Sequence, residues 1–216
     1  MIVRPLSGLA NRVRVVLSYL RAYNGNVEFV WTKDKCMDCE WSDLFAEPEI
    51  KTTEASSNCI ATCNAKSGLR HSHFSILVPS QEVKEKVEEF RRRHKKYNSV
   101  HIRRTDFLDY ARKNGSPVSF APFHDYCARS QLPVYVSCDD VQTMLMFKKE
   151  HGKKVLTRNI NWKSGFRQTS VLDALIDAMI CVDSEHFLGT HLSSFSSMIR
   201  FLRLAKLYQT NPSNGA

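Results

Sequence analysis

From Asn98 onward, short β-branched runs alternate with amphipathic segments, and this rhythm restricts the fold more than any other feature of the chain. NSVHIR from Asn98, VYVSC at 134–138, KVL and HFLG at 186–189 read as strands. Helical spacing is expected near Ala121 to Ser130, over Val141–His151, over Thr169–Val182 and from Phe195. Strands separated by helices cannot pair through tight hairpins, so they run parallel with helices on both faces. The second half therefore predicts a doubly wound α/β domain.

The first half repeats this pattern less regularly. MIVRPLSGLANRVRVVLSYLRAY predicts a strand, a turn at Pro5–Gly8 and a helix with Leu9, Val13, Val16, Leu17 and Leu20 on one face. VEFVW at 27–31 predicts a second strand, whereas residues 32–78 show little periodicity. A helix is expected from Pro79 and Ser80, with Val83, Val87 and Phe90 on its inner face and the basic run RRRHKK at its end. The expected organisation is a small irregular lobe over 1–97 and a regular lobe over 98–216.

Charge and cysteines bound the partners. Lys and Arg number 31 against 22 acids, a formal charge of +9 that favours anionic ligands. The basic run also complements a helix C-terminus, which makes a solvated surface its simpler reading and nucleic-acid binding the other. No apolar run approaches the roughly 18 residues a spanning helix needs, and neither a leader nor an anchor is evident, so a cytoplasmic location is expected. Cys36, Cys39, Cys59 and Cys63 are spaced C-x2-C-x19-C-x3-C, open to free thiols, disulfides or zinc, while Cys127, Cys138 and Cys181 sit in apolar surroundings.

Ligands of open parallel sheets collect beyond the carboxyl ends of the strands. Three polar clusters fall there: His101-Ile-Arg103-Arg104-Thr105-Asp106, Ser137-Cys138-Asp139-Asp140, and Thr190 to Ser197. Guanidinium forks bind phosphate oxygens bidentately, and a helix N-terminus rich in Ser and Thr favours anions. Arg103 and Arg104 could equally pair with Asp106, Asp139 or Asp140. Ser193 or Ser194 could simply cap a helix.

GLANR (8–12), VHIRRTDF (100–107), YVSCDD (135–140) and ALIDAMICVDSEHFLGTHLSSFSSMIR (174–200) resemble, in order and type, the motifs of the fucosyltransferase superfamily that includes the protein O-fucosyltransferases and the α1,2- and α1,6-fucosyltransferases. The C-terminal motif is most similar to the protein O-fucosyltransferase type. The resemblance implies an α/β fold of GT-B type, with two Rossmann-like lobes carrying parallel sheets, a GDP-fucose donor, inversion at the anomeric carbon, and no cofactor or metal. By the same resemblance Arg103 clamps the β-phosphate, Asp177 reads the guanine edge, and Ser193, Ser194 and Phe195 contact phosphate and base. His101, Arg104 and Asp139 belong to the donor site, with Gly8 and Asn11 approaching from the first lobe. The acceptor base is sought in Asp109, with Asp106 the other nearby acid and the one that orients Arg103.

At 216 residues the chain is shorter than most of that superfamily, which points to a glycan or small glycoside acceptor rather than a folded protein. The partners expected are a GDP-sugar and this acceptor, with no nucleic acid and no membrane span. The alternatives are a basic nucleic-acid-binding module and a transferase-like fold that binds a nucleotide without turnover.

Overall fold

The computed structural model describes residues 1–115, 119–165 and 167–210. They form two compact units, Met1–Lys84 with the chain from Phe201, and Glu85–Arg200. The first unit thus reclaims the end of the chain that the sequence assigned to the second lobe. Phe201 packs on Phe74 with ring centroids 5.2 Å apart, and Leu202 and Ala205 are buried. Residues 211–216 of the expected second lobe lie outside the described residues.

In the first unit, β1 (Ile2–Pro5) pairs in parallel with β2 (Glu28–Phe29) on one side and with β5 (Ile60–Thr62) on the other, and β4 (Lys51–Thr52) extends the sheet beyond β2. α1 (Leu9–Ala22) begins at Gly8 and buries Leu9, Val13, Val16 and Leu17, the face its spacing predicts. Arg12 is fully buried on this helix. Its guanidinium donates to the carbonyls of Ser7 and Thr32, each at 2.8 Å, and to Asp34 at 2.5 Å, tying the start of α1 to the loop after β2. The remaining elements are α2 (Trp41–Leu44) and an antiparallel pair, β3 (Phe45–Glu47) with β6 (Val78–Pro79).

α3 (Gln81–Arg93) runs across the division of the chain. The second unit carries the sheet order β10 (Phe187–Gly189), β7 (Asn98–Ile102), β8 (Val134–Cys138), β9 (Val155–Leu156), all parallel. In both units the first strand is flanked by the second on one side and the fourth on the other, the same doubly wound order. β7 and β8 are buried throughout, as strands covered on both faces should be, and the buried polar side chains of β7, Asn98, Ser99 and His101, are each hydrogen-bonded. Val100, Ile102, Val134, Val136 and Phe147 form the centre of this core.

The helices of this unit are α4 (Phe107–Lys113), α5 (Ala121–Arg129), α6 (Val141–His151) and α7 (Val171–Asp183), and α8 (Ser194–Thr210) runs across the second division of the chain, after Arg200. Asp140 caps α6 by accepting from the Thr143 backbone N–H at 2.8 Å, and Ser170 caps α7 by accepting from Asp173 N–H at 2.9 Å. α4 is additional to the helices predicted. Among the described residues no helix is long and apolar enough to cross a membrane. The basic end of α3 is exposed and partly ion-paired, Arg91 with Glu88 and Asp183 and Arg93 with Glu89. All seven cysteines are free thiols, so the disulfide reading does not hold.

Candidate active site

Register brings the chemistry of the second unit together. His101 stands opposite Gly189 of β10 on one side and Ser137 of β8 on the other. Because β8 and β10 flank β7, the chain departs from β7 to both sides, and a crevice opens at the carboxyl ends. Gly189 allows the next layer to approach. A Cβ at this position would come within 2.7 Å of the Ser196 Cβ and 2.9 Å of the Phe187 ring.

The loop after β7 is held by side chains from both neighbours. Thr190 Oγ1 donates to the His101 carbonyl at 3.0 Å and accepts from the Arg103 backbone N–H at 2.9 Å. Asp139 accepts from the Arg104 backbone N–H at 2.7 Å and from the Thr105 hydroxyl, and its carboxylate is ion-paired with Arg103 Nη1 at 2.8 Å. Arg103 also donates to Asp106 at 2.5 Å, so its guanidinium lies between two carboxylates. Arg104 turns elsewhere, its guanidinium 4.5 Å above the Phe120 ring.

Asp106 is engaged from two sides, since Arg167 Nη2 donates to its other oxygen at 3.0 Å. Burial works against its charge, but Arg103 and Arg167 outweigh that cost and hold the carboxyl below its usual range. Such a carboxylate is a weak proton acceptor. Asp109 lies on α4 with its side chain 77% exposed, paired with Arg112 at 3.3 Å, and does not line the crevice.

His101 is buried with Nδ1 2.7 Å from Ser196 Oγ and its ring 4.9 Å from that of Phe195. Burial, then the charges of Arg103 and Arg200, push its pKa down to about 3, so the imidazole is neutral. Ser193 serves as helix cap, its hydroxyl accepting from Ser196 N–H at 3.3 Å. Ser194 opens α8, and Phe195 follows it to the crevice. Leu192 before this turn and Arg167 both have positive φ, 57° and 55°, a conformation that costs a side-chain-bearing residue on the order of 1 kcal/mol or more.

Asp177 is buried in the apolar face of α7. Its Oδ1 accepts from Tyr135 Oη at 2.6 Å and from Arg158 Nε at 2.9 Å, while Arg158 also reaches Asp173 at 2.8 Å. Burial raises the Asp177 pKa against the pull of Arg158, and the same pairing raises that of Arg158. His101, Arg103, Asp139, Asp177 and Phe195 line one cavity with about 30 Å³ of room, the share of a single water molecule. Gly8 and Asn11 belong to the first unit, where Gly8 precedes α1 and Asn11 donates to the Ser7 hydroxyl at 3.1 Å.

Sequence reasoning missed Arg158, Arg167 and Tyr135 as parts of this site, whereas Thr190 and Ser196 fall in the third polar cluster it singled out. Both arginines lie in the stretch between β9 and α7, which has no period to place them. The usable signal was Asp177 itself, because a carboxylate on the buried face of ALIDAMI needs a cationic partner. The four N-terminal cysteines do not gather. Among the described residues no group of three ligand-type side chains includes a cysteine, so the zinc reading fails as well.

Among solved structures, the chain is similar to POFUT1 in complex with GDP, with a TM-score of 0.67 and 11% identity over 94% of this chain and 95% of that one. It is likewise similar to NodZ α-1,6-fucosyltransferase soaked with GDP-fucose, with a TM-score of 0.63 and 12% identity over 93% of this chain and 91% of that one. A further NodZ structure, from Bradyrhizobium, matches with a TM-score of 0.61 at 12% identity over 93% and 92% of the two chains. At such identities the likeness is one of fold, and it is the α/β GT-B class the sequence motifs lead one to expect. No family model matches the chain, and no curated protein matches it by sequence.

Proposed function

We propose that this chain is a GDP-fucose-dependent fucosyltransferase that transfers the sugar, with inversion, to a hydroxyl of a glycan or small glycoside. The observation that carries the reading is the shared cavity of Arg103, Asp177 and Phe195 at the switch in strand order, in a fold common to enzymes crystallised with GDP or GDP-fucose.

In the proposed reaction the bond from the anomeric carbon to the β-phosphate oxygen breaks while the acceptor oxygen attacks the opposite face. Negative charge grows on the departing GDP. Arg103 has five N–H donors, of which one goes to Asp106 while Asp139 balances the charge beside it, and others remain to meet the phosphates. Two carboxylates hold it in place before the donor arrives, so little reorganisation is needed as charge develops. Arg167, bridged through Asp106, adds a second cation beside it.

Asp106 and Asp139 thus act as positioning residues for Arg103. With Asp106 held anionic by two guanidiniums and Asp109 in solvent, the chemistry leans on the leaving group rather than on a carboxylate base. Asp177 is assigned to the guanine edge, with Phe195 packing on the base. The cavity has about 30 Å³ of room, so a bound base needs its lining, Phe195 included, to yield.

The test is to incubate the protein with GDP-fucose, GDP-mannose and UDP-sugars, with and without a panel of glycosides, and to measure released nucleoside diphosphate. Acceptor-dependent GDP release from GDP-fucose supports the reading. GDP binding with no release under any acceptor would leave a nucleotide-binding fold without turnover.

A further inference from the structure

Outside this site, the described residues hold one group of three ligand-type side chains, His124 on α5 with Glu150 and His151 at the end of α6, whose ligand atoms all lie within 4.8 Å of one another. His124 Nδ1 is 2.9 Å from His151 Nε2 and 3.1 Å from Glu150 Oε2. The His124 ring is fixed by stacking on the buried Phe147, with centroids 4.2 Å apart and planes 4° from parallel. Phe120 stands edge-on to it at 6.2 Å.

Three atoms that each carry a lone pair therefore face one another. Two neutral imidazoles can place one proton between their nitrogens, which leaves the carboxylate facing a nitrogen whose valences are already used. A cation satisfies all three at once. We propose that His124, Glu150 and His151 form a binding site for a late first-row divalent cation, Zn²⁺ foremost.

The geometry suits that ion. Ligand atoms set tetrahedrally at about 2.0–2.1 Å from zinc stand about 3.3 Å from each other, so the two spacings from His124 need shifts of only a few tenths of an ångström, and the third, between Glu150 and His151, lies within 4.8 Å. Two imidazoles and one carboxylate match zinc, copper or nickel, whereas magnesium and calcium prefer all-oxygen sets. The half-exposed Glu150 leaves a coordination position open to water. The negative end of the α6 dipole adds to the attraction. The site stands at the opposite end of α6 from the Asp140 cap, so it is separate from the strand-end crevice and does not rest on the proposed sugar transfer. A bound ion would clip α5 to α6 and stabilise the second unit by mass action.

The experiment is a Zn²⁺ titration of the untagged full chain by calorimetry, alongside His151→Gln and Glu150→Gln variants verified as folded by circular dichroism, with Co²⁺ as a spectroscopic substitute. The expected result is one ion per chain in competition with millimolar Mg²⁺, and an affinity loss of about tenfold or more in each variant. The Co²⁺ spectrum should show d–d bands without a thiolate charge-transfer band. Absence of binding, unchanged affinity in His151→Gln, or a thiolate signature from the free cysteines would overturn the proposal.

Discussion

Arg103 Nη1 and Asp139 Oδ2 meet at 2.8 Å across the ends of two adjacent strands, and the other oxygen of that carboxylate accepts from the Arg104 backbone at 2.7 Å. One side chain thus fixes both the path of the loop after β7 and the aim of its first arginine. Asp139→Asn keeps the shape but loses the charge that holds Arg103. Denaturant unfolding should show a loss of about 1–3 kcal/mol, by the cost of a disrupted buried hydrogen-bond set, and donor KM should rise. An unchanged midpoint together with an unchanged KM would remove Asp139 from this role.

His101 makes the second unit acid-sensitive. Its pKa falls from 6.5 to about 3 on folding. Between these values the unfolded chain binds the proton and the folded chain does not, so stability is intact above the upper value and declines as pH falls through the window. The slope approaches about 1.4 kcal/mol per pH unit. Asp106, with a lowered folded pKa, contributes stability above its usual range that is lost at still lower pH. His101→Asn retains a partner for Ser196 and should flatten the decline above the carboxylate range. Parallel pH–stability curves for the two proteins would refute this assignment.

Gly189 should tolerate nothing larger. Gly189→Ala drives its new methyl into Ser196 and the Phe187 ring, at a cost of about 1–3 kcal/mol for overpacking. The start of α8 must shift to relieve the clash, so GDP affinity should fall along with stability. Thermal unfolding with and without GDP reads both effects.

Asp177 and Arg158 should behave as a coupled pair. Asp177→Ala removes the more deeply buried of the two carboxylates on Arg158, whose side chain is only 12% exposed, and leaves it to Asp173, so the cost should stay below the about 3–5 kcal/mol of a fully stripped buried charge. Adding Arg158→Leu should recover part of the loss. A double-mutant cycle with no coupling energy would contradict the pairing.

Thiol chemistry should follow burial. Cys39 is pushed up to about 12 and Cys127 to about 11, burial being the main cause in each, while Cys63 is exposed. A timed alkylation read by peptide mass spectrometry should modify Cys63 first and leave the buried Cys39, Cys127, Cys138 and Cys181 for last. Early labelling of Cys127 would show that the core around α5 opens.

Much of the second unit was legible because its signals are local. VYVSC is a strand in the structure with the predicted bounds, and Val141–His151 is the helix expected from its spacing. The first sheet was half visible, since KT and IAT pair in it with mostly exposed side chains and no alternation to reveal them. Contacts between segments distant in sequence were invisible. Arg167 reaches Asp106 across 61 residues, and Phe201 joins Phe74 from the far end of the chain. Of the residues named by resemblance, Ser193 takes the helix-capping role the sequence also offered, while Arg104 stacks on Phe120 and Asp109 stands in solvent, which the sequence did not announce.

The most direct test is calorimetric titration of GDP into the wild-type chain and into Arg103→Ala, in chelator-treated buffer, with GDP release from GDP-fucose measured on the same samples. The account predicts that the wild-type protein binds GDP and releases it from the donor, and that the variant loses about 10²–10³ in rate, as when one charge-stabilising donor is removed. Equal GDP affinity and equal release in the two proteins would contradict it.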